Sequence, residues 1–119
     1  MSPLPRNQLL KGTTDLLVLA TLEQERLHGY EILQRIRAAG RELSLSEGAL
    51  YPTLHRLEAR GAIAGDWEAG SAGPRRRYYA LTEAGQGLLS EARGEWERFV
   101  ADVESVASAG SRETSNACS

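Results

Sequence analysis

The sequence predicts a mainly α-helical fold with one small antiparallel sheet, and three observations carry that expectation. Apolar residues recur at helical spacing in several separate stretches, as in helices that bury one face. Two runs with β-favouring residues, AIAGDWE (62–68) and RRRYYAL (75–81), flank the turn-forming cluster AGSAGP. The chain has 119 residues, 41% hydrophobic and 25% charged, which suits one compact domain with an appended element and allows a core without staples.

TTDLLVLATLEQE (13–25) is apolar around most of its circumference, with a threonine and Asp15 at its start, so a buried first helix is expected. After a short polar link, HGYEILQRIRAAG (28–40) places Ile32, Leu33 and Ile36 at helical spacing. Arg35 and Arg37 lie near its end and Gly40 stands as a C-terminal cap, which predicts a second helix. ELSLS (42–46) alternates Leu43 and Leu45 with polar residues and suits a very short strand.

SEGALYPTLHRLEARG (46–61) predicts an amphipathic third helix. Ser46 is its N-cap, Leu50, Leu54 and Leu57 form its apolar face, and Gly61 terminates it. Pro52 is the irregularity, since an interior proline costs about 3 kcal/mol through a lost donor and a clash with the carbonyl four residues back. Here that carbonyl belongs to Gly48, whose missing side chain lets the first turn adjust.

The next two runs predict a hairpin with a long pliable tip. Pairing Ile63 with Leu81 sets Gly65 opposite Tyr79 and Trp67 opposite Arg77, leaving ring space above the glycine and bringing a cation to an indole. Thr82 then caps a final helix over 83–107. Leu88, Ala92, Trp96, Phe99, Val103 and Val106 form one continuous apolar stripe along it. At 1.5 Å per residue this helix is about 37 Å long. The body before it should be narrower than that, so part of the stripe needs another partner, and a second copy of the chain is the simplest. The polar, small-residue tail 108–119 is expected to be disordered.

Net charge is only −2, but residues 1–81 carry 11 Lys/Arg against 9 Asp/Glu, whereas residues 82–119 carry 3 against 7. A mildly basic body with an acidic appendage does not by itself imply nucleic acid; position must decide. The one cysteine, Cys118, supports neither a disulfide framework nor a metal cluster, and reducing, cytoplasmic conditions fit. LLVLA (16–20) is too short to span a membrane and lacks a basic leader, so neither a signal peptide nor a transmembrane helix is expected.

Helix, helix, short strand, helix, hairpin is the order of a winged helix-turn-helix, with the third helix entering the DNA major groove and the hairpin as wing. Residues 1–81 are therefore read as the DNA-binding domain and 82–107 as a C-terminal dimerisation helix. With the three leucines inward, Gly48, Pro52, His55 and Ala59 lie on the outer face, flanked by Ala49, Thr53 and Arg56, with Tyr51 at the boundary. The N-terminal part of that face is small enough for close approach, and His55 and Arg56 supply donors to bases or phosphates. Arg75 and Arg76, at the base of the wing tip, have two readings: phosphate contacts, or a charged strand edge that blocks aggregation.

The other candidates have simpler readings. His28 starts a helix; with the only other histidine distant and no cysteine beside either, no metal site or cofactor is expected. Asp66 and Glu68 have a chance spacing, and no nucleophile motif supports catalysis. Trp96 belongs either to a dimer core or to the wall of a small-molecule pocket. A different class of function, a winged-helix module that binds proteins through stripe and wing without DNA, stays open on the residues alone.

Taken in order, LLKGTTDLLVLATL, HGYEILQRI, LSEGALYPTLHRLEARG and RRRYYALTEAG closely resemble the PadR family of bacterial transcriptional regulators, over roughly residues 9–87. The resemblance implies a homodimer built mainly by the C-terminal helix and bound to double-stranded DNA at an inverted-repeat operator. It also implies repression relieved by a small, often aromatic, effector. Residues 28–32 are similar to the family's second-helix signature, Ser46, Tyr51 and Pro52 fall in its recognition-helix signature, and Arg75, Arg76 and Arg77 with Tyr79 correspond to its wing strand. One helix after the wing makes the chain similar to short-tailed members.

Overall fold

In the computed structural model, residues 13–40, 43–68 and 76–108 are described, and the apolar segment near the start folds as helix α1, Thr14–Gln24. Val18, Leu19 and Leu22 are its buried face. A two-residue strand β1, Leu27–His28, leads directly into α2, Gly29–Ala39. The turn from strand to helix is fixed by a capping box: His28 Nδ1 accepts the Glu31 amide at 3.3 Å, and the Glu31 carboxylate accepts the His28 amide at 3.3 Å. Ile32, Leu33 and Ile36 are buried as the spacing predicts, and Gly40 is the C-cap residue, in extended backbone.

The strand expected at 42–46 is absent over its described residues, 43–46. The alternation of Leu43 and Leu45 arises from a turn: the Leu43 amide donates to the Gly40 carbonyl (3.1 Å) and the Leu45 amide to that of Leu43 (2.9 Å). Arg37 Nε donates to the Leu45 carbonyl at 2.8 Å. These local bonds stand where ladder bonds would, while Leu45 is buried in the core. The third strand of the sheet is β1 instead.

Helix α3, Glu47–Ala59, starts at Ser46, whose Oγ accepts the Ala49 amide at 3.2 Å. Leu50, Leu54 and Leu57 are fully buried. The helix accommodates Pro52, and the Thr53 hydroxyl donates to the Ala49 carbonyl at 3.0 Å. At the other end the Gly61 amide donates to Glu58 and the Ala62 amide to Leu57, a double C-terminal cap that requires the left-handed backbone Gly61 supplies at φ 79°.

Strands β2, Ile63–Trp67, and β3, Arg77–Leu81, pair in the predicted register, Ile63 with Leu81, Gly65 with Tyr79 and Trp67 with Arg77. β1 adds to the other side of β3, giving the sheet order β1-β3-β2, all antiparallel. The space above Gly65 is not left for a ring. The Arg77 guanidinium fills it, and a Cβ on residue 65 would come within 2.7 Å of Arg77 Nε.

Helix α4 runs Glu83–Ala107, the predicted span, and Thr82 Oγ1 accepts the Gly85 amide at 3.0 Å as its cap. The chain divides into two compact units, Met1–Leu89 and Ser90–Ser119. In the first, one core joins α1, α2, α3, the sheet and Leu89. The described part of the second is helical, with the Trp96 and Phe99 ring centroids 6.1 Å apart. Among the described residues no helix is long and apolar enough to cross a membrane. The tail from residue 109 onward lies outside the described residues.

Candidate nucleic-acid interface

Burying Leu50, Leu54 and Leu57 turns the opposite side of α3 outward, and Gly48, Ala49, Tyr51, Pro52, His55, Arg56 and Ala59 are all exposed, as is the Ser46 cap. Thr53 departs from the expected outer face. It is 5% exposed, because residue 53 stands beside Leu50 and Leu57 on the helix, and its hydroxyl is satisfied by the Ala49 carbonyl. The N-terminal half of the exposed face therefore presents small or ring-flattened side chains, over which a groove wall can come close.

Tyr51 sits at the edge of this face. Its ring lies over Gly29 at the start of α2, so closely that a Cβ there would fall 2.9 Å from Tyr51 Cε1. Gly29 thus lets the two helices of the helix-turn-helix approach through one aromatic ring.

The arginines divide by partner. Arg56 is ion-paired with Asp15 in the first turn of α1, both partly exposed. Arg77 is ion-paired with Glu58 of α3 and lies over both Trp67 (5.7 Å) and Tyr79 (5.8 Å). Its hydrogen bond to Glu58 raises its affinity for the proton. Arg77 therefore ties the recognition helix to the wing rather than offering a free charge. Arg76, one residue earlier and so on the other side of the strand, is exposed, with Nη1 3.1 Å from His28 Nε2. Arg75 and the wing tip lie outside the described residues.

On the sheet, Tyr79 is 3% exposed and Tyr78 half-buried, with Tyr78 edge-on to His28 and under Arg26. Glu68 pairs with Arg26 at 3.6 Å. Two residues that sequence reasoning did not place at a candidate interface belong to the same surface: Tyr30, 50% exposed, and Trp67, 53% exposed. Exposure of large rings so close to the helix-turn-helix is a signal that only the folded chain provides.

Along α4, Leu88 is half-buried against the core of its own unit. Of the remaining stripe, Trp96, Phe99, Val103 and Val106 are 42%, 60%, 47% and 80% exposed in the single chain, and Ala92 is intermediate. Among the described residues no three His, Cys, Asp or Glu side chains gather as a metal site.

Two helices separated by seven residues in the chain, followed by a hairpin whose second strand pairs back onto the strand before α2, define a winged helix-turn-helix DNA-binding domain. Residues 18–91 match the transcriptional regulator PadR-like family, and the chain belongs to it. It is 35% identical to the transcriptional regulator Rv3488 of Mycobacterium tuberculosis over 93 residues, covering 78% of this chain and 84% of that one. A crystal structure of a PadR family transcription regulator from Clostridium difficile superposes with a TM-score of 0.68 at 34% identity, over 78% of this chain and 95% of that one. A transcriptional regulator from Clostridium thermocellum does so with a TM-score of 0.75 at 30% identity, over 82% and 96%. The protein is thus a DNA-binding transcriptional regulator and not an enzyme.

Proposed function

We propose that the protein is a homodimeric cytoplasmic repressor that binds an inverted-repeat operator, with α3 of each subunit in successive major grooves and the wing on the flanking backbone. The observation that carries this reading is the exposed, small N-terminal face of α3, held beside the arginine-bearing strand β3 through Glu58 and Arg77. Ser46, Gly48, Ala49, Tyr51 and Pro52 form the surface of approach. His55 reads base edges, and Arg56 exchanges Asp15 for DNA. Arg75 and Arg76 supply sequence-independent phosphate contacts.

The exposed row Trp96, Phe99, Val103 and Val106 supports the dimer, because an apolar row of this kind on a helix marks an interaction surface. A two-fold dimer would bring its recognition helices about 34 Å apart, one turn of B-DNA. Membership of the family and the Trp96–Phe99 pair support relief of repression by a small aromatic effector.

Selecting random DNA fragments with the purified protein and sequencing them tests the reading as a whole. A palindrome with half-sites one helical turn apart is expected. No mobility shift at low salt, with DNA from upstream of the protein's own gene or any selected fragment, would favour a winged-helix module that binds other proteins.

A further inference from the structure

Beside the exposed face of α3 lies an open depression of about 320 Å³, walled by Tyr30 at the start of α2, Tyr51 of α3, and Trp67 and Arg76 of the hairpin, with His28 and Gly29 at its floor. Among the described residues of the unit Met1–Leu89, the large hydrophobic side chains that stay exposed are Tyr30, Tyr51 and Trp67, and all three line this depression. No carboxylate lines the depression among the described residues. Large rings that share one depression and remain exposed there mark an interaction surface, so they point to an occupant. That occupant has an apolar face and an adjoining negative charge.

We propose that this depression seats one deoxyribose and its phosphate from the DNA backbone, the sugar against the rings of Tyr30, Tyr51 and Trp67 and the phosphate on Arg76. Continuity decides the occupant: Tyr51 and Arg76 already belong to the helix and the wing assigned to DNA, and a strand passing from one to the other crosses the depression. The backbone alternates a charged phosphate with a sugar whose C–H face is apolar, which matches a cation beside rings. Arg76 Nη1 lies 3.1 Å from His28 Nε2 at the edge of the depression, and the His28 ring stands edge-on to Tyr78. The inference rests on the DNA-binding reading and adds to it a contact that carries neither sequence information nor charge.

The two kinds of contact separate by salt. Affinity for DNA falls with salt according to the number of phosphates neutralised, at a slope of about 0.9 per contact. A ring on a sugar releases no counterion. Binding of a random-sequence duplex, measured across a salt series, should therefore fall by about the same factor, roughly five-fold, at every salt concentration in Trp67→Ala and in Tyr30→Ala. Arg76→Ala should instead flatten the slope by about one contact. Thermal unfolding monitors the fold, and Tyr30→Ala, at an exposed position in the first turn of α2, carries the test if Trp67→Ala loosens the hairpin. Duplex should also change the tryptophan emission of the wild-type chain but not that of Trp67→Phe.

Unchanged affinity in both ring variants, or a slope that flattens in them as in Arg76→Ala, overturns the proposal. Competition between duplex and benzoate, with quenching that depends on Trp67, overturns it in favour of a small aromatic anion. A wild-type chain that binds no duplex at any salt defeats the DNA-binding reading first and this proposal with it.

Discussion

Gly85, in the first turn of α4, is the position where one methyl group should do the most damage. A Cβ built there lies 2.0 Å from the Ala62 carbonyl oxygen and 2.7 Å from Leu81 Cδ1. The first neighbour is backbone and cannot swing aside. The same carbonyl accepts the Thr82 amide at 3.1 Å and the Thr82 hydroxyl at 2.9 Å, so moving the helix to relieve the clash breaks the bonds that seat it. Overpacking costs about 1–3 kcal/mol. The two hydrogen bonds are worth about 1 kcal/mol each. Alanine returns about 1 kcal/mol of helix propensity. The net loss for Gly85→Ala is about 2–4 kcal/mol, which in a domain of this size lowers Tm by roughly 10–20 °C.

Gly87, two residues on in the same helix, supplies the control, because a Cβ there meets nothing within 4 Å. Gly87→Ala should therefore raise stability by about 0.5–1 kcal/mol and Tm by a few degrees. The assay is thermal unfolding of both variants followed by circular dichroism. Equal stabilisation by the two substitutions would refute the close seating of α4 on the start of β2.

Four further outcomes follow from particular residues. Phe99→Asp should convert the proposed dimer to a folded monomer by light scattering, since Phe99 is 60% exposed in the single chain and supports no core of its own. Arg76→Ala should weaken binding to an operator panel uniformly, whereas His55→Ala should reorder the panel; a uniform loss in both contradicts the division of roles. Burial, opposed in part by the nearby Arg77, pushes the Tyr79 phenol above its ordinary pKa of about 10. The unfolded chain then loses this proton before the folded chain does, so stability is intact below pH ~10 and falls as pH rises through the raised value, a decline that Tyr79→Phe should remove. Ser46→Ala removes the acceptor of the Ala49 amide and should cost about 1 kcal/mol, read as a lower urea midpoint.

The parts of the fold that were legible are those where one local rule has no competitor. The register of β2 and β3 follows from alternation with Gly65 set opposite Tyr79, and α4 from an unbroken stripe behind a threonine cap. The strand expected at 42–46 is absent over residues 43–46 because two leucines separated by one residue enter a core as well from a turn as from a strand. Its true counterpart, Leu27–His28, is too short to show a period at all. Thr53 was misplaced because a helical wheel sets its boundary by side-chain type, while the structure sets it by what packs alongside. The pairing of Arg56 with Asp15, 41 residues earlier, leaves no trace in local sequence. Nor does the convergence of Tyr30 and Trp67 on one depression, which arises only once the sheet has formed.

The arginines that lead into β3 show how one composition serves two ends. A strand turns successive side chains to opposite sides, so Arg76 and Arg77 meet different surroundings despite identical chemistry. Arg77 falls over Gly65, where the missing side chain makes room for a guanidinium, and Glu58 of α3 neutralises it there. That pair joins β3 to α3, the two elements that the proposed complex sets against DNA. Arg76 falls beside His28, which is held by its own capping bond, and stays exposed. In the proposed complex the charge facing DNA is accordingly smaller than the count of arginines suggests. The weak overall basicity of the body then becomes a requirement of the design: a wing that must be held at a set angle to its recognition helix devotes one of its cations to that angle, and leaves discrimination to the small face of α3.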